Sequence, residues 1–246
     1  MNDDKIVSLS GAPVRTYPDE RSTPFALALG DVDLITAIDG HIQKHVGPVA
    51  TVFHEIISDQ VHLDVHVVAA TPERPYHVLI TSGMSAIPMV APEGAATCRF
   101  LELFLVLPAS WPLDESAWKD SRWYWPIRQL KTLARFPHLL NTWIWYGHTV
   151  QNPDAAPFDP SVRFNAAAIG PTHLVNTAFC CMTLSDAHVV VFLPVHFLYP
   201  EELQFKLRHG ADALFDRMAD RGISELVAPH RKNACRRWWP AFQRRT

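Results

Sequence analysis

The chain has 246 residues, of which 48% are apolar and 19% are charged, and its formal net charge is −3. An apolar share of this size can build a large core, which excludes an intrinsically disordered protein. The charge provides no overall positive field, so we expect no nucleic-acid partner, and the longest apolar runs are too short to cross a membrane.

The chain begins with a loosely ordered lead-in and a helix. Residues 1–30 carry several prolines and show no clear periodicity, so we expect no regular element there. Apolar positions then recur at helical spacing over residues 31–46, and the Gly47-Pro48 pair that follows is a typical end of a helix.

Three strands are predicted next. Over residues 61–68, valine and leucine alternate with polar residues, so one face should pack on the core and the other should be polar or half covered. Residues 76–81 form a second strand after a proline-rich turn. Residues 99–107 are apolar on both faces, which is typical of a central strand, and the short connections predict an antiparallel meander.

The second half of the chain mixes helices and strands. Apolar spacing predicts a helix over residues 122–140, followed by a strand-like aromatic segment over residues 141–146. Residues 151–160 form a loop rich in proline and aspartate. A strand is then predicted over residues 189–195 and a helix over residues 200–218.

The last residues, 231–246, form a basic tail that contains Trp238, Trp239 and six lysines and arginines, with no acidic residue. Such a tail is expected to pack its tryptophans on the domain and to leave its charges in solvent, and RNA contact is the weaker alternative. We therefore expect one folded domain over residues 31–230, between the lead-in and the tail.

The cysteines and the N-terminus indicate a cytoplasmic protein. The cysteines make neither a disulfide framework nor a Cys-x-x-Cys pair, and the acidic N-terminus lacks the pattern of a secretory signal. No glycine-rich phosphate loop is present, and we expect no cofactor. The cysteines are Cys98, Cys180, Cys181 and Cys235.

Three blocks that occur in order carry a resemblance to a known family. They read VFHEIISDQVHLDVHVVAATPERPYHVLITSGMSAIPM, WPIRQLKTLARFPHLLNTWIWYGHT and FLPVHFLYPEELQFKLRHGADAL, and the resemblance spans residues 35–216. The chain resembles the Suppressor of fused (SUFU) domain family, in particular its bacterial stand-alone members. The resemblance implies a two-lobed α+β domain with mixed, largely antiparallel sheets flanked by helices.

The resemblance also implies a protein-binding role without enzymatic activity. Animal members sequester a transcription factor by clasping an extended peptide, and short bacterial members serve partly as immunity proteins that silence a partner toxin. The animal proteins grip their peptide with an aromatic residue after an Ala-Arg pair and an acid after a later glycine. Here Ala134-Arg135-Phe136 keeps the first feature, whereas His148 follows Gly147 in place of the acid.

Residues 122–148 hold many aromatic residues and arginines, the residue types that dominate interface energetics. Some of these aromatics must fill the core, and the others could line a groove in which an extended segment of a toxin or effector pairs with a sheet edge. The sequence does not specify an oligomeric state. The predicted partner-binding residues are Trp125, Arg128, Lys131, Arg135, Phe136, Trp143 and His148.

The main alternative is a metal-dependent hydrolase. His62, Asp64 and His66 alternate along a predicted strand, where imidazole and carboxylate groups could bind zinc or iron. The same row is also typical of a hydrogen-bonded strand face. His41 and His45 have helical spacing but lack the glutamate that the metalloprotease motif requires. The primary prediction is therefore that no metal is bound.

The sequence offers two candidate nucleophiles, a serine and a cysteine pair, and supports neither. Residues 82–85 contain Gly-x-Ser, but Ile87 stands where the nucleophile elbow requires glycine, so Gly83 is expected to allow a turn. Cys180 and Cys181 lie in an apolar context that is typical of inert thiols. The sequence therefore predicts a binding module rather than an enzyme.

Overall fold

The computed structural model describes residues 6–17, 27–54 and 60–236. Its helices are α1 (Val32–His45), α2 (Glu115–Trp118), α3 (Ser121–Leu139), α4 (Pro200–His209) and α5 (Ala211–Ala219). Its strands are β1 (Val49–Phe53), β2 (Asp64–Val68), β3 (Tyr76–Ser82), β4 (Leu101–Pro108), β5 (Thr149–Gln151), β6 (Ala166–Ile169), β7 (Cys181–Ser185) and β8 (His188–Leu198).

The strands form one mixed sheet in the order β1-β2-β3-β4-β8-β6-β5, and β7 also pairs with β8. All neighbouring strands are antiparallel except β4 and β8, which run parallel. The long strand β8 joins two parts of the sheet, because its first residues pair with β4 and β7 and its last residues pair with β6. The predicted α+β class and the β2-β3-β4 meander are therefore confirmed.

Strand β4 is apolar on both faces, apart from Glu102, because the sheet is covered on both sides. One row of β4, which includes Leu103 and Leu105, belongs to the core under α3. The opposite row, with Phe104 and Val106, packs in the core formed with α1. A third cluster places α4 and α5 against β6 and the end of β8. The prediction that residues 99–107 hold a central strand is confirmed.

The second face of strand β2 is polar, as predicted, and it is fully covered rather than half covered. Asp64 and His66 are only 2% and 1% exposed. Helix α1 lies over this face, where His66 Nδ1 is 3.4 Å from Asp39 Oδ1. The strand also begins at Asp64 rather than at residue 61. The alternation identified the strand, but a polar face covered by a helix has the same sequence pattern as one that faces solvent.

Two predicted elements are wrong in part. The helix expected over residues 200–218 is divided into α4 and α5 at Gly210, whose φ of 94° favours glycine. The segment 141–146 is irregular rather than a strand, since Asn141 (φ 47°) and Gly147 (φ 80°) turn the chain at its two ends. The strands that periodicity missed, β1, β5, β6 and β7, have five residues or fewer, too few for a clear pattern.

The folded part of the chain continues past residue 230. Arg231, in the predicted tail, has a side chain that is 9% exposed, and Ala234 is buried. Trp238 and Trp239 lie outside the described residues. Among the helices in the described part of the chain, none combines the length and apolarity needed to cross a membrane.

Candidate functional site

Helix α3 carries five of the predicted binding residues, which are Trp125, Arg128, Lys131, Arg135 and Phe136. Asp120 caps its N-terminus by accepting a hydrogen bond from the backbone N–H of Arg122 (3.0 Å). One face, which includes Leu130 and Leu133, is buried in the core against the sheet. Trp125 lies on this buried face, whereas Arg128, Lys131, Arg135 and Phe136 are exposed or half-buried.

Trp125 belongs to the core, which corrects its prediction as a partner-binding residue. Its side chain is fully buried. Its ring lies 4.7 Å from the ring of Phe197 on β8 and stacks at 6.1 Å on that of Phe158. A tryptophan in the aromatic start of α3 looks the same in sequence whether it faces the sheet or solvent, so only the packing separates the two cases.

The basic residues of α3 have different surroundings. Arg128 donates a hydrogen bond to the carbonyl of Phe158 (2.8 Å) and so holds the loop after β5. Lys131 lines a cleft of about 360 Å³ between β1 and α3. Arg135, one turn further along, is half-buried. The cleft is lined by Val52, Phe53, His54, Trp118, Tyr124, Ile127 and Lys131.

Phe136, Thr142, Trp143 and His148 lie at or after the C-terminal end of α3, and we group them as the Phe136 patch. The rings of Trp143 and His148 are 4.7 Å apart at an interplanar angle of 76°. The ring of Tyr17 lies 5.1 Å from that of Phe136, and the Tyr17 and Thr142 hydroxyls are 2.8 Å apart. Tyr17 therefore connects the aromatic residue after Ala134-Arg135 with Thr142, which directly precedes Trp143.

Backbone hydrogen bonds fix the segment that carries Trp143 and His148. The N–H of Thr142 donates to the carbonyl of Pro137, and the N–H of Gly147 donates to the carbonyl of Ile169 on β6 (2.9 and 2.8 Å). The segment is thus tied to α3 at one end and to the sheet at the other, which holds the two rings of the patch in place.

Two positively charged side chains lie near enough to His148 to act on its imidazole. Burial lowers the pKa of His148, and the positive charges of Lys206 and Arg15 lower it further. Nδ1 of His148 accepts a hydrogen bond from the backbone N–H of Trp145 (3.2 Å). The imidazole is therefore neutral at pH 7, and its proton is on Nε2.

Strand β5 lies at the end of the sheet, directly after His148. In the described part of the chain it pairs with β6 alone, so its outer edge has no strand partner. Such an edge can bind an extended segment through backbone hydrogen bonds, while nearby pockets select its side chains. An aromatic patch beside a sheet edge is thus suited to noncovalent binding of a peptide segment.

Sequence reasoning missed Tyr17, Thr142 and Lys206. Tyr17 is in the proline-rich lead-in, 125 residues before its partner Thr142. Lys206 is a buried residue of α4 whose Nζ is 3.4 Å from Oγ1 of Thr149 on β5. No local pattern marks these residues, because their contacts are made by distant parts of the chain.

His62, Asp64 and His66, the alternative metal ligands, do not converge on one point. Asp64 lies between His62 (Nε2 to Oδ1, 3.3 Å) and His54 (Nδ1 to Oδ2, 3.2 Å). His66 bonds instead to the hydroxyl of Ser82 through Nε2 (2.9 Å). Across the part of the chain that the structure describes, no three histidine, cysteine, aspartate or glutamate side chains are arranged to hold a metal ion. The residues form a polar row in which Asp64 and His66 are buried and His62 is half-buried, and this geometry does not support the hydrolase alternative.

Ser85 is a structural residue rather than an activated nucleophile. It is fully buried, and its hydroxyl donates to Oε1 of Glu102 (2.6 Å). Two histidines lie close by, but His138 bonds to the carbonyl of Met84 and His188 to that of Ser85 itself. Neither imidazole is therefore placed to accept the proton of the Ser85 hydroxyl.

Solved structures share this fold. A SUFU homolog from Neisseria gonorrhoeae FA 1090 has a TM-score of 0.61 and 17% identity, over 84% of this chain and 99% of that chain. Drosophila Suppressor of Fused has a TM-score of 0.55 and 12% identity, over 85% of this chain and 53% of that chain. The crystal structure of a Sufu–Fu complex gives a TM-score of 0.54 and 12% identity, over 82% of this chain and 91% of that chain.

The sequence comparison agrees with the fold. No curated protein gives a match to the chain. A family model described as Suppressor of fused protein (SUFU) matches residues 59–232, which include α3 and the whole Phe136 patch. Because this match extends from before β2 to the docked Arg231 and covers more than half of the sequence, the chain belongs to the Suppressor of fused family.

Proposed function

We propose that the chain binds a partner protein without catalysis and thereby sequesters or neutralises it. The observation that carries the proposal is the Phe136 patch beside the outer edge of β5, which together suit an extended segment of a partner. A related solved structure is a complex of Sufu with Fu, and so contains a member of this fold bound to another protein. We infer that the partner is a toxin or another effector protein, which the chain silences as an immunity protein.

The candidate nucleophiles support binding rather than catalysis. The hydroxyl of Ser85 is buried against Glu102. Burial raises the pKa of the Cys180 thiol, which disfavours the reactive thiolate. All four cysteines are free thiols, and this state supports the cytoplasm as the place where the protein acts.

Replacement of Trp143 by alanine is expected to weaken partner binding by about 10- to 100-fold, because aromatic anchors carry much of the energy of an interface. The tagged full-length chain is used to capture the partner from native cell extract, and the purified partner is then titrated calorimetrically against the wild-type and Trp143→Ala chains. The Kd measured for the two chains gives the loss directly.

The matched control is Trp123→Ala, since Trp123 is a partly exposed indole near the N-terminal end of α3, away from the patch. It should leave the Kd unchanged. An unchanged Kd for both Trp143→Ala and His148→Ala would show that the partner binds elsewhere. Metal analysis of the same sample tests the alternative, because one zinc or iron per chain would favour the hydrolase over a binding module.

A further inference from the structure

Residues 6–17 of the lead-in form a small hairpin that rests on the domain. Its two sides are joined by hydrogen bonds from Val14 N to Ile6 O (2.8 Å) and from Ser8 N to Ala12 O (2.9 Å). At its tip, the N–H of Ser10 donates to the carbonyl of Leu207 in α4 (3.1 Å). The hairpin thus reaches α4, which also carries Lys206 beside β5.

The end of this segment lies on the Phe136 patch. The ring of Tyr17 meets that of Phe136 edge to face, at 5.1 Å and 81°, and its hydroxyl is bonded to Thr142. Arg15 is near enough to His148 for its charge to act on the imidazole. The surface assigned above to a partner is therefore already in contact with a segment of the same chain.

We propose that residues 15–17 are an internal occupant of the partner site, which a bound partner must displace. This inference rests on the function proposed above. The lead-in then acts as an intramolecular competitor: it covers the aromatic patch in the free protein and lowers the apparent affinity for any segment that binds there.

The hairpin is held loosely enough to be displaced. Its apolar side chains face solvent instead of packing on the domain, as the 85% exposure of Leu9 and the 62% exposure of Ile6 show. Docking of the segment therefore buries little apolar surface, and the ring of Tyr17 is its main apolar anchor. The covalent connection offsets this weakness, because a tethered segment is present at a local concentration on the order of 1 mM.

The test uses a fluorescein-labelled peptide with the sequence of residues 6–17, added to the full-length chain and followed by fluorescence anisotropy. The Tyr17→Ala chain is expected to bind this peptide at least about threefold more tightly than the wild-type chain, because its own segment competes less well. Addition of Thr142→Val to Tyr17→Ala should weaken peptide binding, since it replaces the hydroxyl that bonds the tyrosine with a methyl group. A peptide with alanine in place of tyrosine should not bind.

Leu9→Ala is the matched control, because Leu9 is in the same segment but is exposed. This chain should bind the peptide as the wild type does. Equal affinity of the wild-type and Tyr17→Ala chains, equal binding of the alanine peptide, or no binding to the Tyr17→Ala chain at about 1 mM peptide would each overturn the inference. The assay contains no partner, so its failure is distinct from a failure of Trp143→Ala to weaken partner binding.

Discussion

Glu102 shows how the fold accommodates a buried acid. Its carboxylate accepts hydrogen bonds from the Thr81 hydroxyl, the N–H of Gly83, and both the N–H and the hydroxyl of Ser85. Burial raises the pKa of Glu102, and these hydrogen bonds oppose the rise. The Gly-x-Ser sequence is therefore part of a turn whose glycine and serine donate hydrogen bonds to a buried carboxylate. This structural role accounts for the presence of both residues, although the sequence resembles part of a nucleophile elbow.

His138 should make the stability depend on pH. Its Nε2–H donates to the carbonyl of Met84 (3.0 Å), and burial lowers its pKa from 6.5 to about 4. The unfolded chain then binds more protons than the folded chain between these two values, so stability is full above pH 6.5 and falls as the pH drops toward 4. At pH 5 the loss from this group is about 2 kcal/mol relative to pH 7.

Urea unfolding of the wild-type and His138→Gln chains at pH 7 and pH 5 measures this contribution. Glutamine can still donate to the Met84 carbonyl but does not titrate, so the variant should lose about 2 kcal/mol less than the wild type over this range. The same loss in both chains would show that His138 is not one of the groups responsible. His196, whose pKa burial also lowers to about 4, should leave part of the pH dependence in the variant.

Among the elements, the division between α4 and α5 shows how a single backbone position redirects a helix. Gly210 has φ 94° and ψ 170°, and its N–H donates to the carbonyl of Lys206 to end α4. The basic residues of the last turn, Arg208 and His209, also suit a helix C-terminus. A glycine after a basic turn is a known end signal, so the break was present in the sequence although the apolar spacing ran through it.

Two glycine-to-alanine substitutions should have opposite effects on stability. At Gly83, in the turn after β3, φ is 105° and a Cβ atom would lie 1.9 Å from the carbonyl oxygen of His62. At Gly40, inside α1, a Cβ atom would meet nothing within 4 Å. Gly83→Ala should lower the free energy of unfolding by about 2–4 kcal/mol, and Gly40→Ala should raise it by about 0.5–1 kcal/mol.

Denaturant unfolding of the two variants against the wild type provides the comparison. A Gly83→Ala chain as stable as the wild type would mean that the turn can move away from the β2 segment. That result would contradict the close approach of Gly83 to the carbonyl oxygen of His62.

For the molecule as a whole, the chain segment after residue 228 closes the part of the fold built on α4 and α5. Arg231 forms two hydrogen bonds of 2.6 Å with the carboxylate of Glu202, which is fully buried at the start of α4. It also donates to the carbonyl of Phe197 on β8 (2.8 Å), and its guanidinium lies over the ring of Tyr199. One side chain therefore joins the C-terminal segment, β8 and α4.

Arg231→Met should lower the free energy of unfolding by about 3–5 kcal/mol, because it leaves the buried Glu202 carboxylate without its positively charged partner. Arg236→Met, five residues later at an exposed position, is the control and should change stability by less than about 0.5 kcal/mol. Thermal and denaturant unfolding of both variants check the prediction. Equal stability of the two variants would place the C-terminal segment outside the cooperative fold.

The sequence by itself determined the elements whose apolar periodicity reports burial: α1, α3, the β2-β3-β4 meander and β8. It also determined the family, through blocks that recur in order, and it identified Phe136, Trp143 and His148 as part of the candidate site. Periodicity carries this information because most side chains that pack in the core are apolar, wherever their partners lie in the chain.

Only the tertiary structure decided which side chains of α3 are core and which are surface. It placed Trp125 inside, gathered the Phe136 patch, and set β8 between β4 and β6. It also brought Tyr17 to Thr142. These are contacts between distant segments, each made by groups that are locally unremarkable. Their positions follow from the packing of the whole chain rather than from any pattern near them in the sequence.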